Sequence, residues 1–309
     1  MVYYNRATSS AFLFLLTLCL FACSPNVGAA GSGSVSLDEL AEVSPNIRNA
    51  RESVRISKDP SVLNNATFKD LYLNKLMIKN ARLTGGTFND CGFNEMVAEN
   101  VTFENFTFEK AIFYKSTFTN VKFLNCTVSD SLILESEFRN SSFTKGSFVR
   151  KRYYGYGNRP DMDKVTFDVM TFDGPAFKGG YYIGNTTGSV VFKNVRDVEG
   201  SRHEGRYLFH GMTVNVTFEN CAIGEMDYLQ LWRDSKYTAK NCSFAGSVFW
   251  VGTGTTMEFD NCTFSDKASI ETDGVMILRS CTVKDPMEFP GGRQPEKLQL
   301  INTTLPASR

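Results

Sequence analysis

Residues 101–125 read VTFENFTFEKAIFYKSTFTNVKFLN, and this stretch decides the fold. Phenylalanine recurs in it at every fifth position, at Phe103, Phe108, Phe113, Phe118 and Phe123. A period of five matches neither the 3.6-residue period of an α-helix nor the two-residue period of a β-strand. It indicates a chain that turns a corner every five residues and sends one large side chain inward from each segment.

The same spacing holds far beyond this stretch. Counted in fives from Phe68 to Phe148, all 17 positions are apolar and 11 are phenylalanine. Two residues before each, 13 of the 17 positions hold a small residue, the exceptions being Leu71, Leu76, Met96 and Phe106. Four such segments make a coil of about 20 residues, and successive coils stack as parallel strands about 4.8 Å apart. The repeat therefore predicts an all-β parallel β-helix with the large residues on its axis.

This repeat resembles that of the pentapeptide-repeat family, which places Phe or Leu at the centre and Ala, Ser, Cys or Val two residues before it. The resemblance covers residues 61–149 and implies a right-handed quadrilateral β-helix. The chain departs from the family pattern in placing Asn or Asp mostly two residues after the centre, as at Asp70, Asn80 and Asn120. Most of the Asn-x-Ser/Thr sequences fall at this phase, so we attribute them to turn chemistry rather than to glycosylation.

A pattern of about 20 residues continues through residues 150–305, where the strict spacing of five is lost. Cys221, Cys242, Cys262 and Cys281 occupy equivalent places in four similar segments. Further apolar segments lie between them. This half is expected to continue the same β-helix with longer and looser loops.

The N-terminus has the features of an export signal. Residues 11–22 form an apolar run that has the length of a signal-peptide core and is too short to span a bilayer. The run ends at Cys23 in the sequence LFAC, which resembles the lipobox of bacterial lipoproteins. We therefore expect residues 1–22 to be a signal peptide, Cys23 to be acylated, with palmitate among its chains, and residues 23–36 to be a flexible tether. Ordinary cleavage nearby, with Cys23 incidental, is the alternative.

Two neighbouring features bear on location and fold. Ser24, rather than Asp, follows the cysteine, which by the same resemblance implies an outer-membrane lipoprotein. Residues 37–60 are rich in charge and precede the first repeat. They are predicted to form a short helical cap, because the first edge of a stack of coils needs to be covered.

The overall composition excludes two classes of protein. The chain has 309 residues, with 33 basic and 33 acidic side chains. A balanced charge argues against a protein that binds nucleic acid through its overall field, and equally against an acidic DNA mimic. A single long apolar run excludes a protein that spans the membrane many times.

Residue types that carry chemistry give weak signals. The cysteines show no Cys-x-x-Cys or Cys/His spacing for zinc, so no metal or cofactor is expected, and buried thiols acting as small apolar residues are favoured. His203 and His210 lie in one expanded turn with no nucleophile placed beside them. Glu271 and Asp273 would share one face of a strand, as catalytic acids do in some β-helices that cleave polysaccharides. Such pairs are common on solvated strands, so the protein is predicted not to be an enzyme.

Aromatic and basic residues gather after residue 149. The candidate binding residues are Tyr153, Tyr154, Tyr156, Tyr207, Trp232, Arg233 and Trp250. Several recur at about the spacing of one coil, which would place them on one side of the β-helix; the alternative is that half of them fill a wider core. Tyr, Trp and Arg dominate the energetics of protein interfaces, and aromatic rings also stack on sugars. The regular first half, by contrast, is expected to present short, uniform polar sides.

Two functions follow as hypotheses. The first is a non-enzymatic, lipid-anchored module of the bacterial envelope that binds a protein partner, with toxin capture by an immunity lipoprotein as a refinement by analogy. The second is a β-helix that binds or cleaves carbohydrate. A homodimer is left open, and nucleic acid is not expected as a partner.

Overall fold

The computed structural model describes residues 45–150, 161–178, 183–196, 207–223, 228–231, 234–246, 248–266, 269–272, 274–288 and 297–306. For residues 45–50, 207–212, 228–231, 248, 250–251 and 271–272 it describes the backbone alone. The chain divides into two units, residues 1–51 and 52–309. Residues 45–51 of the first unit form the start of a helix, and all other described residues belong to the second unit.

Helix α1 (Pro45–Lys58) precedes the first coil, as the cap prediction requires. In its last turns Ile56 is buried, and the Ser57 hydroxyl accepts a hydrogen bond of 3.2 Å from the amide of Met77 in the first coil. The helix ends there because Asp59 precedes Pro60, a position that disfavours helical geometry. A 3₁₀ turn (Pro60–Leu63) then leads into the coils, with the Asp59 carboxylate accepting from the amide of Ser61. Residues 37–44 of the predicted cap lie outside the described part.

The regular part is built of three-residue strands whose central residue is inward and whose flanking residues point outward. All but the first of the central residues are buried. These strands are β1 (Thr67–Lys69), β2 (Tyr72–Asn74), β3 (Met77–Lys79), β4 (Arg82–Thr84), β5 (Thr87–Asn89), β6 (Gly92–Asn94), β7 (Val97–Glu99), β8 (Thr102–Glu104), β9 (Thr107–Glu109), β10 (Ile112–Tyr114), β11 (Thr117–Thr119), β12 (Lys122–Leu124), β13 (Thr127–Ser129) and β14 (Leu132–Leu134).

Strand register shows that each coil has four sides. Strand β1 pairs in parallel with β5, and β5 with β9, so that Phe68, Phe88 and Phe108 stand in one column. Strand β2 pairs with β6 and β6 with β10 in the same way. Each strand thus pairs with the fourth strand after it, and the predicted parallel β-helix with four-sided coils is confirmed.

The corners explain the Asn and Asp residues that depart from the family pattern. Asn80, Asn100, Asn120 and Asn140 all have φ between 44° and 54°. Asn and Asp tolerate this left-handed region better than other non-glycine residues. Their side-chain amides also stack, with Nδ2 to Oδ1 distances of 2.9, 3.0 and 2.8 Å from each coil to the one before. Asn100 and Asn140, which begin two of the Asn-x-Ser/Thr sequences, thus occupy corners, as the turn-chemistry interpretation expects.

Stacked phenylalanines fill the axis. Phe93 and Phe113 lie 4.6 Å apart at an interplanar angle of 6°, and Phe118 and Phe138 lie 4.7 Å apart at 10°. The one phenylalanine in the small-residue wall, Phe106, fits because Gly86 lies one coil earlier. A Cβ atom at Gly86 would come within 2.2 Å of the Phe106 ring.

Strand length varies from residue 137 onward, from two to 13 residues, in place of the regular triplets. The first of these strands already joins two sides of its coil, and the longest has 13 residues. They are β15 (Glu137–Thr144), β16 (Ser147–Val149), β17 (Met162–Asp163), β18 (Thr166–Asp173), β19 (Ala176–Lys178), β20 (Ile183–Lys193), β21 (Tyr207–Glu219), β22 (Ala222–Ile223), β23 (Tyr228–Leu231), β24 (Lys236–Lys240), β25 (Ser243–Ala245), β26 (Val248–Val251), β27 (Thr256–Asp260), β28 (Thr263–Ser265), β29 (Ser269–Thr272), β30 (Val275–Arg279), β31 (Thr282–Val283) and β32 (Lys297–Ile301).

The inward columns nevertheless run unbroken from the first half into the second. One of them joins eleven residues by strand register: Leu83, Phe103, Phe123, Phe143, Phe172, Phe192, Phe218, Ala239, Phe259, Leu278 and Leu300. The prediction that residues 150–305 continue the same β-helix with looser coils is therefore confirmed for the described residues.

Candidate functional site

One side of the regular coils differs from the other three. It consists of the outward residues of β2, β6, β10 and β14, which we call the uncharged side: Tyr72, Asn74, Gly92, Asn94, Ile112, Tyr114, Leu132 and Leu134. None of these eight residues is acidic or basic. The other three sides of the same coils all carry charge, at Lys69 and Glu109, at Lys79, Glu99, Glu137 and Arg139, and at Arg82, Glu104 and Lys122.

Apolar and aromatic surface is exposed on the uncharged side. Tyr72 is 48% exposed and Ile112 is 43% exposed. The ring of Tyr72 lies across Gly92, where an added Cβ would come within 2.6 Å of it. Beside the ring, the Asn94 amide donates a 2.8 Å hydrogen bond to the Asn74 carbonyl oxygen. The expectation of uniform polar sides in the first half is therefore wrong for this side.

The corners that border the uncharged side carry charge of both signs, at Asp70, Asp90, Lys110 and Asp130 before its strands and at Lys75, Glu95, Lys115 and Glu135 after them. The ammonium of Lys115 lies 4.9 Å from the centre of the Tyr114 ring. The contact with Tyr114 raises the pKa of Lys115, so the lysine stays charged throughout the physiological range. One face of the Tyr114 ring is thus occupied by a cation, whereas Tyr72 and Ile112 offer apolar surface.

The same side continues into the second half. On this side strand register aligns ten residues: Leu73, Phe93, Phe113, Ile133, Met162, Ile183, Phe209, Leu229, Phe249 and Ile270. The backbones of Tyr207 and Tyr228 pair next to these residues, and Trp250 pairs with Gln230 and Glu271. The strands that hold predicted binding residues Tyr207 and Trp250 therefore belong to the side that is uncharged in the first half.

The remaining predicted binding residues lie outside the described part. They are Tyr153, Tyr154, Tyr156, Trp232 and Arg233, and Cys23 is likewise outside it. The segment that contains the three tyrosines is bounded by Arg150 and Asp161, which form a mostly buried ion pair with a distance of 3.4 Å from Nε to Oδ1. Because Asp161 immediately precedes β17, this segment joins the coils at the edge of the same side.

The candidate catalytic residues are not brought together among the described residues. The backbone of Glu271 is described, whereas Asp273 and His203 lie outside the described part. In the ranges that the structure covers, no group of three or more His, Cys, Asp and Glu residues is placed to hold a metal ion. The axis encloses a small apolar cavity of about 20 Å³ beside Val128 and Ile133, too small for a ligand.

The six described cysteines are buried free thiols, as predicted: Cys91, Cys126, Cys221, Cys242, Cys262 and Cys281. Their thiols donate hydrogen bonds to backbone carbonyl oxygens. Cys262 Sγ, for example, donates to the carbonyl oxygen of Ala239 in the preceding coil at 3.5 Å. Burial raises the pKa of Cys91 and raises that of Cys126 to about 11. The thiols of Cys91 and Cys126 therefore stay protonated at neutral pH, and these two residues act as wall residues, as Ser116 and Ser131 do at the same position of the repeat.

Comparisons with known proteins found a likeness in structure but none in sequence. The sequence matches no protein-family model and no curated protein. Among solved structures it is similar to HetL, a pentapeptide repeat protein involved in heterocyst differentiation regulation from the cyanobacterium Nostoc sp. strain PCC 7120. The identity is 10%, over 82% of this chain and 92% of that chain, with a TM-score of 0.31. This identity and TM-score are too low to support a fold assignment. The assignment is based on the five-residue repeat and on the strand register.

Proposed function

We propose that the protein is a non-enzymatic interaction module of the bacterial envelope, held there by a lipid on Cys23, and that the uncharged side binds a protein partner. One observation supports this site. The outward residues of β2, β6, β10 and β14 carry no charge, while every other side of the same coils does. Depletion of charge and enrichment in aromatic residues distinguish the cores of protein interfaces from ordinary surface.

The location of the aromatic residues supports the same site. Tyr72 and Ile112 are exposed on it, and the register carries Tyr207 and Trp250 along the same side. Exposed apolar surface at Tyr72, and again two coils later at Ile112, favours a partner that lies along the stack. Capture of a toxin is one version of this function, suggested by the expected export and by analogy with immunity lipoproteins.

Partner capture tests the site directly. Residues 24–309 are immobilised and exposed to detergent-solubilised envelope extract, beside the variants Ile112→Lys and Met77→Lys. Met77 is the matched control, since it is 46% exposed and lies on the neighbouring side. We expect one protein to be retained by the native chain and by Met77→Lys and to be lost with Ile112→Lys. The purified partner should then bind with fixed stoichiometry and little dependence on salt.

Retention of the same proteins by all three chains, or of none by the native chain, would remove the uncharged side as the site. The anchor is tested separately by labelling cells with palmitate. The native chain should incorporate the label and the Cys23→Ser variant should not. Label on both, or on neither, contradicts acylation at Cys23.

A neutral oligosaccharide is the second candidate ligand. Tyr72 adjoins the Asn74–Asn94 amide pair, and an aromatic surface with a few amide groups suits a neutral sugar. Binding of uncharged envelope glycans by the native chain, with loss in Tyr72→Ala, would favour this function. Turnover of a glycan that is lost in Glu271→Gln would favour polysaccharide cleavage instead.

A further inference from the structure

Charge is layered at the end of the β-helix where the chain enters it. Residues 52–83, which form the last turns of α1 and the first coil, contain six basic residues and three acidic ones, a net charge of +3. The basic residues are Arg55, Lys58, Lys69, Lys75, Lys79 and Arg82. The next coil, residues 84–104, contains four acidic residues and no basic one. We call residues 52–83 the basic end.

Ion pairs between the two layers fix this order. Lys79 Nζ lies 2.7 Å from Glu99 Oε2, Arg82 Nη2 lies 2.8 Å from Glu104 Oε2, and Lys75 lies 3.9 Å from Glu95. All six basic residues are exposed. The negative layer therefore lies behind the positive one, and a surface that approaches the basic end meets the cations first.

Exposed apolar side chains lie among these cations. Val54 is 41% exposed and Met77 is 46% exposed. The hydrogen bond from the Met77 amide to Ser57 joins the strand to the helix turn that also carries Val54, three residues earlier. Basic residues around exposed apolar ones are the combination that binds at the surface of an anionic bilayer, where the cations meet headgroups and the apolar groups enter the interface.

We propose that the basic end rests on an anionic lipid surface and gives the protein a second membrane contact besides the acyl chains. This inference builds on the proposed anchor, because Cys23 lies 22 residues before the first described residue, Pro45, and the chain enters the coils at this end. The acyl chains hold the N-terminus at the membrane, and a basic patch near the entry of the chain adds attraction to anionic headgroups. Among the described residues, no helix is long and apolar enough to cross a membrane.

Binding to vesicles tests the contact without the acyl chains. Residues 24–309 are sedimented with vesicles of phosphatidylglycerol and phosphatidylethanolamine, or of phosphatidylcholine alone. We expect binding to the anionic vesicles only, weakened by added salt. The double variant Lys58→Gln and Lys69→Gln should bind at least about tenfold more weakly, since each lysine near the surface contributes on the order of 1 kcal/mol.

Matched variants separate the basic end from general charge. Lys122 and Lys145 are also exposed but lie on later coils, so their double change to Gln should leave binding within about twofold. Met77→Gln should weaken binding severalfold, whereas Ile112→Gln, at a similarly exposed position, should not. Melting temperatures of all variants confirm that each is folded.

Failure to bind anionic vesicles at low salt, or equal losses with the control lysines, would overturn the inference. Equal binding to phosphatidylcholine vesicles would also overturn it. Palmitate labelling reports the anchor and partner capture reports the uncharged side. A chain that is labelled at Cys23 but does not bind vesicles therefore contradicts the basic end alone.

Discussion

The two halves of the β-helix keep the same interior with different chain lengths. In the first half, coil partners are 20 residues apart, as Phe103 and Phe123 are. In the second half the same column moves from Phe143 to Phe172 and from Phe192 to Phe218. The extra residues between these partners displace no inward position of the column. The comparison shows that the axial column fixes the fold and that the outer path between inward residues is free to vary.

The halves also differ in how coils are joined at the surface. The first uses stacked Asn amides and ion pairs such as Lys110 with Asp90 at 3.3 Å. The second keeps some of both, as in the Asn261–Asn241 contact of 2.8 Å, and adds a wall of four cysteines. If the interior alone holds the two halves together, they should unfold as one body.

Removing an axial ring should have the largest effect. Phe118 and Phe259 are both buried, and replacing either with Ala should lower the free energy of unfolding by about 3–5 kcal/mol. Both tryptophans, Trp232 and Trp250, lie in the second half, so fluorescence reports that half while circular dichroism reports both. We expect Phe118→Ala to shift the guanidinium transition equally by the two probes, because the columns are continuous.

The alternative outcome is informative. If Phe118→Ala shifts only the circular dichroism and leaves the tryptophan transition in place, the halves unfold separately and the uninterrupted columns do not couple them. Phe259→Ala is the converse test and should move both signals as well.

A buried thiol should make stability depend on alkaline pH. Burial raises the pKa of the Cys126 thiol to about 11 from its usual value of 9.0. Between these two pH values the thiol loses its proton in the unfolded chain and keeps it in the folded chain. The stabilisation is complete below pH 9 and is lost as pH rises toward 11. When the pH rises from 8 to 10, the free energy of unfolding of Cys126→Ser should fall by about 1.4 kcal/mol less than that of the native chain.

Denaturant titrations at the two pH values measure this difference. Since lysines also titrate in this range, the result is the difference between variant and native chain. Equal losses in both chains would mean that Cys126 ionises in the folded state, and rapid reaction of the native protein with a thiol reagent at pH 8 would show the same.

The smallest effect is expected at a corner where the Asn ladder stops. Val169 follows Asn140 by register, has φ of 60° and is 51% exposed. A β-branched residue is strained in this region, whereas Asn tolerates it. Val169→Asn should raise stability by about 1 kcal/mol, by relieving strain and extending the ladder.

The reverse change, Asn120→Val, is its control and should lower the melting temperature. A loss of stability in Val169→Asn would contradict the strain argument. It would indicate that Val169 makes contacts that outweigh its backbone geometry.

Much of the fold could be predicted from the sequence because each inward residue recurs at a fixed interval. The apolar residues at every fifth position from Phe68 to Phe148 show the period, and the columns in the structure follow it. The joining of two sides in β15 and the 13 residues of β21 could not be predicted, since they depend on pairing with a neighbouring coil rather than on local pattern. The prediction of a helix before Pro60 succeeded because proline ends helices for a local reason.

The candidate site was harder to predict. Its outward residues Tyr72, Gly92, Ile112 and Leu132 are 20 residues apart, so they share a surface only once the register is known. Read along the chain, each follows a charged corner residue by two positions, as Tyr72 follows Asp70 and Ile112 follows Lys110, so the lack of charge on this side does not stand out. Reading the sequence in rows of 20 would have shown the missing charge. The aromatic residues of the second half were found because they cluster locally.

The constant step between coils has a consequence for how such a gene changes. Thr67 pairs with Thr87 and Thr87 with Thr107, so any 20 consecutive residues of this region form one complete coil. Duplication or deletion of 60 base pairs would return every inward residue, corner and ladder to an equivalent place. A change of one, two or three pentads would keep the large side chains inward but would break the ladders, because each side of a coil would pair with a different side. A change that is not a multiple of five residues would move large side chains from the axis to the surface. The length of the first half is therefore expected to evolve most freely in whole coils.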